Sequence, residues 1–204
     1  MKNDNLEREL PVGYEQKLYI NAKNTKFGLI MNIVALVIIA LVIAIAVIPI
    51  SGKIAWKEVL LESKTLLAYL VFLATMVLYI VLHELVHGIA YAALTGEQPT
   101  FGISLTCAFC GVPNIYTYRK AALISIAAPL TVFTVIFGAL TAWLYFVNSF
   151  YYLLSAIIFG LHLGGCSGDI YIMLLMLFKY KNPKTLMRDT GAEQYVFVPG
   201  PLGE

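Results

Sequence analysis

The stretch Tyr79-Ile-Val-Leu-His-Glu-Leu-Val-His-Gly-Ile-Ala90 decides how this chain is read. It is apolar at both ends, yet it carries His83, Glu84 and His87 in its middle. An ionisable group in hydrocarbon costs roughly 2.5–3.5 kcal/mol on insertion scales, so three of them in one apolar segment call for a shared purpose. The rest of the chain is as apolar as this stretch. Of its 204 residues 60% are hydrophobic and 13% charged, with a mean hydropathy of +0.80. That composition excludes an ordinary soluble domain and points to an integral membrane protein. A net charge of +2 leaves no electrostatic footprint for nucleic acid, and three cysteines make no even disulfide framework.

Four runs are long enough to cross a bilayer, which takes about 20 helical residues. They cover roughly residues 27–50, 65–94, 121–147 and 150–178, and the quoted motif lies in the second. The first run is too long for a signal peptide and has no small-x-small cleavage site, so it reads as a retained anchor. Lys2, Arg8, Lys17, Lys23, Lys26, Arg119, Lys120, Lys179, Lys181, Lys184 and Arg188 fall on one side, eleven basic residues against Lys53, Lys57 and Lys64 on the other. The side with more lysine and arginine is the cytoplasmic one, which puts both termini in the cytoplasm and, for a bacterial host, the protein in the plasma membrane.

The expected fold is all-α, an integral membrane protein of about four transmembrane helices with a small cytoplasmic β-hairpin between helices two and three. Residues 1–26 read as a cytoplasmic arm with a short interfacial helix, 27–50 as an additional span, 65–178 as the core and 179–204 as a cytoplasmic tail. The hairpin is placed at 99–118. Phe101, Ile103, Leu105, Cys107 and Phe109 alternate with small or polar residues as a strand, "CGVPN" supplies turn residues, and "IYTY" reads as the return strand. A further short strand is expected at Tyr195–Val198.

His83, Glu84 and His87 form H-E-x-x-H. Residues four apart share a helix face, so both imidazoles can point at one metal ion while Glu84 reaches a water beside it. A lone core histidine is usually just a satisfied polar residue. Here, however, all three histidines (83, 87 and 162) fall inside the spans, and the acidic residues there are Glu84 and Asp169. That segregation suggests one polar site shared by spans two and four. His83 and His87 lie 18 and 22 residues into span two and Asp169 lies 19 into span four. At 1.5 Å per residue these depths match, at roughly 27–33 Å from the outer ends.

Zinc needs a third protein ligand, and Asp169, His162 and Cys166 compete for that place. Asp169 has the matching depth. His162 lies about 10 Å away along the axis, two turns higher, and suits a polar group above the site. Cys166 shares the Asp169 face, but a buried cysteine is most often a small hydrophobe. Gly164, Gly165 and Gly168 allow close helix packing, and also a local break that would turn Asp169 towards the metal. Cys107 and Cys110 form a lone C-x-x-C, which reads as two reduced thiols rather than a second metal site.

"HELVHG" on one membrane helix, "APL" (Ala128–Leu130) on the next and "GDI" (Gly168–Ile170) on a later one resemble the site-2-protease-like intramembrane metalloproteases. The similarity is nearest to a short bacterial group of zincin peptidases of unknown function and covers about residues 66–198. The resemblance implies a three-helix catalytic core, Zn2+ held by His83, His87 and Asp169, and Glu84 as general base. In the larger family an asparagine stands about two turns before the aspartate and contacts substrate or oxyanion; His162 has a similar place here, and Cys166 would lie behind the ligands. The larger family's "LDG" is absent, because Ile170 follows the aspartate, and "APL" has alanine where the family has glycine. The implied activity is hydrolysis of peptide bonds in membrane-associated proteins, within the membrane or at its surface. The implied partners are a membrane protein or peptide substrate and the lipid bilayer. A zinc-binding pseudoprotease acting as a scaffold would keep the same ligands. A haem-binding bundle would leave Glu84 and Asp169 unexplained, and a metal transporter would need polar residues on spans one and three.

Overall fold

A computed structural model describes residues 4–52, 63–104 and 108–201. Among these residues the helices are α1 (Thr25–Val47), α2 (Ser63–Thr95), α3 (Arg119–Val147), α4 (Ser149–Gly165) and α5 (Ser167–Leu174). Asn24 starts α1, its side-chain oxygen accepting from the amides of Lys26 and Phe27 at 3.0 and 3.2 Å. Asn148 likewise starts α4, accepting from the amides of Phe150 and Tyr151. An Asn oxygen in that position satisfies backbone donors that the first turn leaves without a partner. Among the described residues three segments are long and apolar enough to cross a membrane: Thr25–Ile50, Leu66–Thr95 and Arg119–Val147. Ser149–Gly165 and Ser167–Lys179, broken at Cys166, make a fourth if the pair counts as one span.

The fold is mixed α/β, which corrects the all-α expectation. Seven strands are present among the described residues: β1 (Leu6–Glu7), β2 (Tyr14–Asn21), β3 (Thr100–Ile103), β4 (Ala108–Gly111), β5 (Tyr116–Tyr118), β6 (Leu186–Asp189) and β7 (Glu193–Pro199). Five of them form an antiparallel sheet in the order β1-β5-β6-β7-β2, and β3 pairs with β4 alone. The arm expected to hold an interfacial helix supplies β1 and β2 instead. The hairpin also has different strands from those expected. Phe101 pairs with Cys110 and Ile103 with Ala108, so the run read as one strand folds back on itself. "YTY" is not its return strand but joins β1 and β6 in the larger sheet. The strand expected at Tyr195–Val198 lies inside β7.

These strands escape the alternation rule for identifiable reasons. Leu186 and Met187 are adjacent in β6 and both fully buried, so that strand shows no polar face. β1 is two residues long, and its pairing comes entirely from distant chain. In β4, a Cβ on Gly111 would strike the backbone of Gly191 and Thr190, so glycine is required there for close approach.

The chain divides into two compact units. One comprises residues 1–30, 83–129 and 168–204, the other residues 31–82 and 130–167. In the first, Ile20, Ile126, Ile172, Met176, Met187 and Val196 form a buried core between the sheet and segments of α3 and α5. After α5 the chain widens into a π-helical turn, Leu175–Lys179. Arg119 Nε donates to the carbonyls of Met176 and Tyr180 at 2.9 and 3.0 Å, supplying partners that a helix C-terminus lacks. In the second unit Ala46, Ile50, Tyr152, Leu153 and Ala156 form the core. There Gly160 and Gly164, four apart on α4, lie against α1: a Cβ on Gly164 would come 2.8 Å from the Ala35 carbonyl oxygen. Small residues at that spacing are how membrane helices pack closely.

Candidate metal centre

Helix geometry places His83 and His87 on one face of α2, and both are buried. The chain breaks at Cys166, whose φ and ψ of −75° and 6° leave the helical range, so that Asp169 falls in the first turn of α5. His83 Nε2 stands 3.3 Å and His87 Nε2 3.5 Å from Asp169 Oδ2. All three ligand atoms lie within 4.8 Å of one another. Tetrahedral zinc with bonds of about 2.0–2.1 Å holds its ligand atoms about 3.3–3.4 Å apart, so two imidazoles and one carboxylate at these separations fit the ion.

The ring orientation of His87 is fixed from behind. Its Nδ1 donates to the Ser125 carbonyl oxygen at 2.8 Å, which leaves Nε2 as the ligand atom. In an uninterrupted helix the amide of residue 129 would claim that carbonyl. Residue 129 is proline, inside α3, and has no N–H to offer. The "APL" proline therefore frees the oxygen that His87 uses.

Glu84 is half-buried, and its carboxylate lies within electrostatic reach of His83, His87 and Asp169. Gly88 follows one turn later on the same face. A Cβ there would lie 2.5 Å from the Phe101 ring and 3.1 Å from Pro99, so the β3–β4 hairpin rests where a side chain would otherwise stand. Phe101 and Ile103 of β3 are exposed. On β4, Cys110 is buried; burial pushes its thiol up to about 12, and the carboxylates of Glu84 and Asp189 add to that shift. Cys107 lies outside the described residues.

His162 belongs to the other unit. It is fully buried, with Nδ1 hydrogen-bonded to the Tyr79 hydroxyl at 2.8 Å and Nε2 to the Thr134 hydroxyl at 3.1 Å. The rings of Tyr79, Phe133 and Phe137 meet it edge-on. Cys166 is also fully buried, its Sγ 3.6 Å from His162 Nδ1. Both ring nitrogens of His162 thus face hydroxyl groups of its own unit.

Sequence reasoning missed Ser125, the part played by Pro129, and a buried acid, Asp189. The APL segment was visible as a motif, but its use of a missing N–H was not. Asp189 sits in the polar string "MRDTG" with no local sign of burial. Burial pushes its carboxyl up to about 6, with hydrogen bonds from the Gly191 amide and the Tyr91 hydroxyl opposing that rise.

A histidine pair and a carboxylate converging on one point, with a glutamate beside them, define a candidate zinc-hydrolase centre. Residues 76–184 match the model of the family described as "Putative zincin peptidase", and the chain belongs to that family of metallopeptidases. Neither the curated proteins nor the solved structures give a match.

Proposed function

We propose that this protein is a zinc-dependent peptidase of the site-2-protease-like kind, acting on peptide segments of membrane-associated proteins within the bilayer or at its surface. The observation that carries this reading is the convergence of His83 Nε2, His87 Nε2 and Asp169 Oδ2 beside Glu84. In this reading the three residues hold Zn2+, which when bound supplies Lewis acidity and lowers the pKa of water. Glu84 takes the proton of the attacking water on its carboxylate and passes it to the amide nitrogen of the leaving peptide. Ser125 holds the His87 ring in place throughout. A helical substrate hides its carbonyls in its own hydrogen bonds and must open before cleavage. The edge of β3, with exposed Phe101 and Ile103, offers an extended segment a strand to pair with.

The protein would be a multi-pass protein of a bacterial plasma membrane with both termini in the cytoplasm. Two observations support this. The sheet joins strands from residues 6–21, 116–118 and 186–199, as segments on one side of a membrane would. Arg8, Lys17 and Arg188 lie in these segments, and Arg119 and Lys120 directly follow the second of them.

The test is zinc content of the purified full chain by mass spectrometry, beside cleavage of a panel of single-span membrane peptides in detergent. Wild type is expected to hold about one zinc and to cut. Asp169→Ala should lose both properties, and Glu84→Gln should keep zinc while cutting nothing. Zinc without cleavage by wild type would favour the scaffold reading. Folded wild type without zinc would sink the metallopeptidase reading.

A further inference from the structure

Asp189 joins three parts of its unit. It lies in β6, beyond the residues matched by the family model, and is buried. Its Oδ2 accepts from the Tyr91 hydroxyl at 2.8 Å, its Oδ1 from the Gly191 amide at 2.8 Å, and its backbone carbonyl from the Val112 amide at 2.8 Å. The side chain therefore holds the motif helix and its own β6–β7 turn, while the main chain holds the exit of the β3–β4 hairpin. Gly111 brings hairpin and turn into backbone contact.

Tyr91 is the matching point on α2. It follows His83 and His87 at eight and four residues, on the same helix face, and is almost wholly buried. Leu6 of β1, Val112 and Ile115 pack around it. The Asn5 side chain donates to the Leu94 carbonyl at 2.9 Å, and Arg8 pairs with Glu97, so the N-terminal arm grips the same end of the helix. A helix buried on one side by apolar packing can still slide or rotate. A directed hydrogen bond to a fixed carboxylate removes that freedom. One residue of rotational slip is about 100°, enough to carry both imidazoles off the Asp169 oxygen.

We propose that Tyr91 and Asp189 form a positioning pair that sets the rotation and depth of the His83–Thr95 segment. Through that segment they aim His83 and His87, so the C-terminal strand pair supports the metal centre. This rests on the zinc reading above. Neither residue touches the metal; each acts through the helix. Groups bonded directly to metal ligands change metal affinity about 10- to 100-fold when removed, and a pair acting one step further back is expected at the lower end of that range.

The test uses the full chain in detergent, comparing wild type with Tyr91→Phe, Asp189→Asn and the double variant. Zinc affinity is read by chelator competition, site geometry by the visible spectrum of the cobalt-loaded protein, and helix order by amide hydrogen exchange over residues 84–95. Each single variant is expected to bind zinc about tenfold more weakly. Each should alter the cobalt spectrum and speed exchange in that segment, and the double variant should be no worse than the weaker single one. Wild-type affinity and spectrum in folded Tyr91→Phe would overturn the proposal. So would a loss confined to Asp189→Asn, which would make the carboxylate's charge the cause. Wild type that binds neither metal would sink the metal reading instead; the clasp would then stand or fall on whether exchange over 84–95 rises in Tyr91→Phe.

Discussion

His87 Nδ1 donates to the Ser125 carbonyl oxygen at 2.8 Å, and the residue whose amide would otherwise take that oxygen is Pro129. The proline thus contributes to the candidate metal centre through a group it lacks. Pro129→Ala restores an amide four residues after Ser125 and draws the carbonyl back along the axis of α3. Helix α3 should persist, since alanine is the better helix former. The expected result is unchanged folding with zinc bound about tenfold more weakly. A chelator-competition titration reads it, and wild-type affinity would mean that Ser125 serves both donors at once.

Gly88 and Phe101 make a second separable prediction. A methyl group at 88 meets the far end of the Phe101 ring, so the hairpin must shift. Gly88→Val should keep zinc, because its side chain points at the hairpin and not at the ligands, while cleavage of membrane peptides falls at least tenfold. Gly88→Val with Phe101→Ala should recover much of that loss. Failure of the second change to rescue the first would assign the defect to the packing of α2 itself, since valine is a better helix former than the glycine it replaces.

The long apolar helices and the residues that meet at the candidate site stood out in the sequence, and most of the sheet did not. His83, Glu84 and His87 stand out because charge is rare in apolar runs, and Asp169 because its depth matches theirs. The sheet is assembled from three distant pieces, and none of them reads as a sheet alone. Two residues at Leu6 and a doubly buried Leu186–Met187 pair carry no period-2 signal, and the three at Tyr116 read as a strand without showing which partners they take. Much of their strand character comes from pairing with distant chain: Leu6 meets Thr117, and Thr117 meets Met187. The break at Cys166 was foreseeable from the glycines around it, though they differ in use: Gly164 lies hard against α1 and Gly165 faces open space.

Gly164 sits in the unit that does not contain His83, His87 and Asp169. A Cβ there would come 2.8 Å from both the Ala35 carbonyl oxygen and Ile39 Cγ1, with little room to yield on the backbone side. Gly164→Leu is therefore expected to destabilise the protein by roughly 1–3 kcal/mol, the usual cost of overpacking. Thermal unfolding in detergent would show a lower midpoint. Gly165→Ala, placed in open space, serves as the control and should leave the midpoint where it was.

Cys110 gives a pH-dependent prediction outside the membrane spans. Burial, reinforced by the carboxylates of Glu84 and Asp189, pushes its thiol up to about 12 from an ordinary 9.0. A raised thiol pKa lowers the thiolate fraction at every pH below it, and only the thiolate is alkylated. At pH 9 an unfolded cysteine is about half thiolate, and the folded Cys110 about one part in a thousand. Iodoacetamide at pH 9 should therefore modify Cys110 of the folded protein hundreds of times more slowly than after denaturation, by site-resolved mass spectrometry. Raising the pH through 11 and 12 should close that gap for as long as the fold survives. Rapid labelling of folded Cys110 at pH 9 would mean that β4 opens readily, and would remove the hairpin from the wall of the site.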